Sequence, residues 1–151
     1  MTRTINGIDE MKTLVGEHLG WSPYTEITQE QVQKFAEATG DHQWIHIDVE
    51  RATAGPFGGP IAHGYLTLSL GPMLSPQVFG VSGVAMGVNY GAGKIRFPSP
   101  VPVGSKVRLG ITLVSVDDIA GGAQVTQEFV FECEGAIKPS CVAEVIFRYY
   151  V

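Results

Sequence analysis

Ile61-Ala62-His63-Gly64-Tyr65-Leu66-Thr67-Leu68-Ser69-Leu70-Gly71-Pro72-Met73-Leu74-Ser75-Pro76-Gln77-Val78-Phe79 is apolar on nearly every side when wound into a helix. A helix without a polar face is normally buried in the centre of a fold. Pro72 lies well inside the stretch, so the helix is expected to kink or end near Gly71. His63, Pro72 and several glycines also make Pro60 to Val81 a poor membrane span.

The chain changes character after this stretch. Val81–Tyr90, Lys94–Phe97, Lys106–Val116, Ala123–Glu132 and Cys141–Val151 are rich in Val, Ile, Phe and Thr and read as strands. Lys106-Val107-Arg108-Leu109-Gly110-Ile111 alternates polar and apolar residues. The breaks are turn-rich: Gly91-Ala92-Gly93, Pro98-Ser99-Pro100-Val101-Pro102, Ala120-Gly121-Gly122 and Glu134-Gly135. Strands of about ten residues are long against the usual five or six and suit a strongly curved sheet. The expected class is therefore α+β: an antiparallel meander curled around a central apolar helix, the hotdog fold, in one domain spanning residues 1–151.

Before the apolar stretch, Gly55-Pro56-Phe57-Gly58-Gly59-Pro60 must be a loop. Ile8, Met11, Leu14, Val15 and Leu19 have helical spacing, and Gly20 ends that segment. Trp21–Ile27 reads as a short strand. Thr28 followed by Gln31 is a capping-box pattern that opens a second helix. Val32, Phe35, Ala36 and Thr39 form one face of it, and Gly40 stands where a helix-terminating glycine belongs. Asp41–His46 follows as a loop, and Asp48 is placed to cap a short helix through Glu50, Arg51 and Ala52.

The bulk properties exclude several classes. A chain of 151 residues can bury a core without metals or disulfides. A net charge of −5 and the lack of any Lys/Arg run argue against nucleic-acid binding. An anionic ligand would need a local basic patch. Cys133 and Cys141 do not make a disulfide framework and read as buried small apolar residues. Met1–Lys12 has no apolar core of a signal peptide, so a cytoplasmic protein is expected.

The polar cluster that calls for a chemical reading is Gly40-Asp41-His42-Gln43-Trp44-Ile45-His46-Ile47-Asp48. On one continuous helix Asp41 and His46 would point about 140° apart. Gly40 ends the helix first, so a turning loop can bring the two side chains together. A carboxylate beside an imidazole can position a water molecule and exchange protons with it near neutral pH. The plainer reading is a turn-forming Asp and a His packed against Trp44.

Gly64, near the start of the apolar helix, can present a free backbone N–H, with the helix dipole adding to the field there. That suits an oxygen gaining negative charge, while tight helix–sheet packing explains the glycine equally well. His63 is a candidate second histidine, with a structural reading preferred.

Phe35-Ala36-Glu37-Ala38-Thr39-Gly40-Asp41-His42-Gln43-Trp44-Ile45-His46, with Ala52 following, resembles the MaoC-like hydratase motif. Ala62-His63-Gly64 and Val101-Pro102-Val103-Gly104-Ser105 also match it. The resemblance runs from about Trp21 to the C-terminus. Gln43 and Trp44 replace the usual Asn-Pro, a variant similar to nodulation-protein-N-like sequences. The resemblance implies R-specific, reversible hydration of trans-2-enoyl-CoA. Asp41 and His46 would activate one water, and the Gly64 N–H would bind the thioester oxygen. No metal or redox cofactor is implied; coenzyme A belongs to the acyl-CoA substrate.

Further candidates are Ser69, as a partner for the Asp41 side, and Asn89 at a strand end. Lys94 and Arg96 are candidates for the nucleotide phosphates. The alternatives are a hotdog acyl-thioesterase, a hydroxyacyl dehydratase acting on acyl carrier protein, and a non-catalytic thioester-binding module. A lone curled sheet leaves a long edge, so a homodimer joined edge to edge is expected.

Overall fold

The structure is a computed structural model that describes residues 2–151. The chain runs β1 (Arg3–Asn6), α1 (Gly7–Thr13), β2 (His18–Trp21), β3 (Thr25–Glu26), α2 (Gln29–Thr39), α3 (Trp44–Ile47) and α4 (Val49–Thr53). It continues with α5 (Gly64–Ser69), α6 (Gly71–Val78), β4 (Phe79–Ser82), β5 (Met86–Arg96), β6 (Lys106–Ile119), β7 (Gly122–Cys133) and β8 (Cys141–Tyr150). No helix among the described residues is long and apolar enough to cross a membrane.

The main sheet is antiparallel in the order β2-β6-β7-β8-β5, with β3 also paired to β6. β6, β7 and β8 form the expected meander. β5 departs from it by pairing with β8, not with the strand that follows it. It is also one strand where the sequence suggested two. Gly91-Ala92-Gly93 does not form the expected turn: the ladder to β8 continues past it with register shifts between Asn89 and Gly91 and between Ala92 and Ile95. Glycine in a strand tolerates such bulges as readily as it makes a turn.

The inner face of the sheet supplies Leu109, Ile111, Val125, Phe129, Phe131, Ala143 and Val145, packed against Leu66, Leu70, Leu74 and Val78 of the helical segment. Burial of this kind contributes roughly 1.5–3 kcal/mol per large side chain. The expected kink occurs: α5 ends at Ser69, Leu70 separates the two pieces, and Pro72 sits in the first turn of α6. Two features differ from expectation. Ile61 pairs with Pro102 as a β-bridge, so the helix begins only at Gly64. The helix is also not buried all round, since Tyr65 and Met73 are exposed in the monomer.

At the N-terminus the expected helix through Leu19 stops at Thr13. Gly16 has φ of +89°, which turns the chain, and His18–Trp21 joins β6 instead. The expected strand Trp21–Ile27 is split, with Pro23 between its halves. β1 and β4 form a separate parallel pair, Arg3–Asn6 against Phe79–Ser82. α2 follows the reading: Thr28 Oγ1 accepts from the Gln31 N–H at 3.1 Å, and Gly40 closes the helix at φ +82°. Asp48 caps α4 by accepting from the Arg51 N–H at 3.0 Å. Cys133 and Cys141 are both buried and unpaired with each other. Burial pushes the Cys141 thiol up to about 12.

Candidate active site

The left-handed Gly40 at the end of α2 throws the chain into a short turn. Asp41 Oδ1 accepts from the Gln43 N–H at 3.3 Å, and α3 starts one residue later. The expected loop through His46 is thus only three residues long, and His46 stands on the one-turn helix α3. Trp44, which replaces the proline usual in the motif, holds this turn by packing. The Arg51 guanidinium lies over its ring at 4.3 Å. A Cβ on Gly55 would lie 3.0 Å from the indole. A close ring–backbone contact replaces the fixed φ that proline would supply.

The turn brings the expected pair together. A carboxylate oxygen of Asp41 and one ring nitrogen each of His46 and His63 all lie within 4.8 Å of one another. Asp41 is exposed, whereas His46 and His63 are buried. His46 Nδ1 donates to the Ile61 carbonyl at 2.6 Å. That bond fixes the neutral tautomer and leaves Nε2 with its lone pair. Gln29 Nε2 donates to the His46 carbonyl at 2.9 Å and anchors the backbone. Burial holds the His46 pKa below the usual histidine value. The Ile61 carbonyl opposes this, the neighbouring His63 adds to it, and Asp41 opposes it.

His63 is more than a packing residue. Its Nε2 donates to the backbone carbonyl of Asp41 at 3.0 Å. Its ring stacks on that of His46 and is flanked by Phe35 at 4.8 Å. It therefore ties the carboxylate-bearing residue to the imidazole. The same three residues are the candidate set for a metal. One nitrogen of each ring is already bonded to a backbone carbonyl, so each histidine has a single nitrogen left for an ion.

His46 and Gly64 open onto a cleft of about 350 Å³, whose walls include Phe57, Phe97, Pro98, Val101 and Ser140. Gly64 is the first residue of α5, so its N–H belongs to the turn that has no acceptor within the helix. α5 has six residues before the break at Leu70, so it carries less dipole than a helix through Phe79 would. A Cβ on Gly64 would lie 3.0 Å from the Phe97 ring, so the glycine also allows this aromatic wall to approach.

The remaining candidates lie elsewhere. Ser69 Oγ donates to the carbonyl of Tyr65 at 2.6 Å, one turn back on its own helix, and not to Asp41. A helical serine saturates its donor this way when no partner faces it. Ser69 and Asn89 both line a second hollow of about 360 Å³ between α5, α6 and strands β5 and β8, floored by Phe129, Val145 and Phe147. Lys94 and Arg96 are exposed on β5 and line neither hollow. No sequence pattern marks Gln29 or Ser140, which touch the site from a helix start and a distant strand end.

A family model described as the MaoC like domain matches residues 10–130. The 3-hydroxyacyl-thioester dehydratase Z of Mycobacterium tuberculosis is 53% identical over 148 residues, covering 97% of this chain and 98% of the relative. Nodulation protein N of Rhizobium leguminosarum is 40% identical over 144 residues, covering 91% and 87%. Among solved structures, a monoamine oxidase regulatory protein from Archaeoglobus superposes with a TM-score of 0.78 at 23% identity, covering 100% of this chain and 99% of that one. The unliganded R-hydratase from Pseudomonas aeruginosa superposes with a TM-score of 0.72 at 21% identity, covering 95% and 85%. These structural likenesses establish the hotdog fold.

Proposed function

Since the chain belongs to the MaoC-like family of thioester hydratases and dehydratases, we propose that it catalyses the R-specific, reversible hydration of trans-2-enoyl-CoA to 3-hydroxyacyl-CoA. The observation that carries this reading is the convergence of the Asp41 carboxylate on two buried histidines, one of which spends its Nδ1 on a backbone carbonyl. A water held between Asp41 and His46 Nε2 loses a proton to the imidazole as its oxygen bonds to C3 of the enoyl group. The C2–C3 π electrons move toward the thioester, whose oxygen gains enolate charge beside the Gly64 N–H. A proton then returns to C2 and the carbonyl re-forms. Depressed basicity keeps His46 neutral at physiological pH, as a proton acceptor requires. The chemistry asks for no metal or redox group.

The reverse direction uses the same groups, and the relative named as a 3-hydroxyacyl-thioester dehydratase favours it. The carrier is coenzyme A in this reading, with acyl carrier protein as the alternative. The test is the ultraviolet absorbance of crotonyl-CoA with purified protein. Loss of the conjugated band without free thiol supports the reading. Thiol release identifies a thioesterase, and an unchanged spectrum leaves a binding module.

The working unit in this reading is a homodimer. β5 is the edge of the main sheet, and Met86, Val88 and Tyr90 on it are exposed large side chains. An unprotected apolar edge of eleven residues favours pairing with a second copy.

A further inference from the structure

Ser140 has an unpartnered hydroxyl at the wall of the catalytic cleft. The residue is 2% exposed, it lines the cleft with His46 and Gly64, and its Oγ has no hydrogen-bond partner among the described residues. Its backbone is fixed, because the Ser140 N–H donates to the Phe131 carbonyl at 2.8 Å. The hydroxyl is thus held in place by the sheet. A buried polar group without a partner costs about 1–3 kcal/mol, so alanine would suit the free protein better. A group that destabilises the empty site and borders the reacting residues has the character of one satisfied by ligand.

Its position says which part of the ligand. The β5–β8 register pairs Arg96 with Val142, and carried two residues further it sets Ser140 opposite Pro98. Phe97 and Pro98 are exposed and, with the exposed Phe57 and Pro100, form the rim of the cleft. A thioester whose carrier is larger than the cleft must leave the site across this rim. Pro98 has no N–H to offer, and Phe97 and Val101 are apolar. Of the cleft's hydroxyls, Thr67 donates to the His63 carbonyl and Ser99 is half-buried, so Ser140 is the fully buried one left free to donate and accept.

We propose that Ser140 binds the first amide of the pantetheine arm of the substrate. This rests on the thioester hydratase reading above. The arm is common to coenzyme A and acyl carrier protein, so the assignment does not depend on the carrier. The experiment compares wild type with Ser140→Ala on two substrates. Crotonyl-N-acetylcysteamine keeps that amide; S-ethyl thiocrotonate lacks it. Ser140→Ala should raise KM for the first roughly three- to tenfold with kcat nearly unchanged, and should leave the kinetics of the second as in wild type. Its melting temperature should equal or exceed that of wild type. Ser99→Ala, at the same cleft, controls for general loss of polarity. Unchanged KM on the amide substrate, equal losses on both substrates, or a lowered melting temperature tracking the KM change each overturn the proposal. Failure of the hydratase reading itself shows separately, as wild type inactive on both substrates. Binding of unreactive butyryl-CoA by calorimetry then decides, since equal affinity in both proteins, or no binding, also removes the assignment.

Discussion

The rings of His46 and His63 stack with their centroids 3.9 Å apart and their planes 26° from parallel. Each ring gives one nitrogen to a backbone carbonyl, His46 to Ile61 and His63 to Asp41. The pair is therefore a clamp: it orients the imidazole that faces the cleft and fixes the backbone that carries the carboxylate.

Removing either member of the proposed acid–base pair should abolish most turnover. Asp41→Asn and His46→Gln are each expected to lower kcat by about a hundredfold or more. Asp41→Asn should leave the melting temperature nearly unchanged, because the side chain is exposed. His46→Gln should also lose stability through the Ile61 contact. Steady-state kinetics on crotonyl-CoA with parallel thermal melts measure both, and near-wild-type kcat in either variant contradicts the assignment.

His63→Leu keeps bulk beside His46 but breaks the link to Asp41. A misplaced catalytic group costs up to about a hundredfold in rate, so kcat is expected to fall at least tenfold with KM little changed. A drop in KM-dependent binding alone, with kcat intact, would make His63 a substrate contact instead.

The pH dependence follows from His46. Its folded pKa lies below the ordinary value of about 6.5, chiefly through burial. Between that value and the lower folded one, the unfolded chain takes up a proton that the folded site resists. Stability should therefore fall as pH drops below about 6.5 and level off once pH passes below the folded value. The acid limb of kcat/KM should likewise lie below 6.5. Denaturant melts across this range, with His46→Gln showing a shallower loss, test the sign.

Gly64 can be probed with two residues that share a Cβ. Alanine and proline both place carbon about 3.0 Å from Phe97, but only proline deletes the N–H. His63 has φ −59° and ψ 139°, a conformation compatible with a following proline, and proline is tolerated in the first turn. Proline should lower kcat about a hundredfold beyond alanine, equivalent to about 3 kcal/mol. Equal losses in the two variants would assign Gly64 to packing against Phe97 alone.

Light scattering at micromolar concentration should report a dimer. Val88→Lys on the exposed edge of β5 should shift it toward monomer, since charge on an edge opposes pairing. A wild-type monomer with full activity would contradict the proposed assembly.

Local signals in the sequence translated well where physics is local. Thr28, Gly40 and Asp48 act on backbone groups within a few residues, and each cap formed where the pattern placed it. The Asp41/His46 juxtaposition was legible for the same reason, because Gly40 forces the turn. What was not legible depends on distant chain. The pairing of Arg3–Asn6 with Phe79–Ser82 has no local signature. Gly91-Ala92-Gly93 permits either a turn or a bulge, and only β8 decides between them. The His46–His63 stack joins residues seventeen apart, and no periodicity marks it. Ser140 is a lone serine before a strand until the sheet folds it against the cleft.

α5 forms a party wall. Gly64 and Thr67 border the cleft that holds His46, while Leu68 and Ser69 border the hollow on the other side. The partition is a single helix of six residues with a break at Leu70. Trimming Leu68 on one side removes packing from the helix that presents the Gly64 N–H on the other. In the proposed hydratase a substitution made for one chamber is therefore expected to be felt in the other, because both are walled by the same six residues.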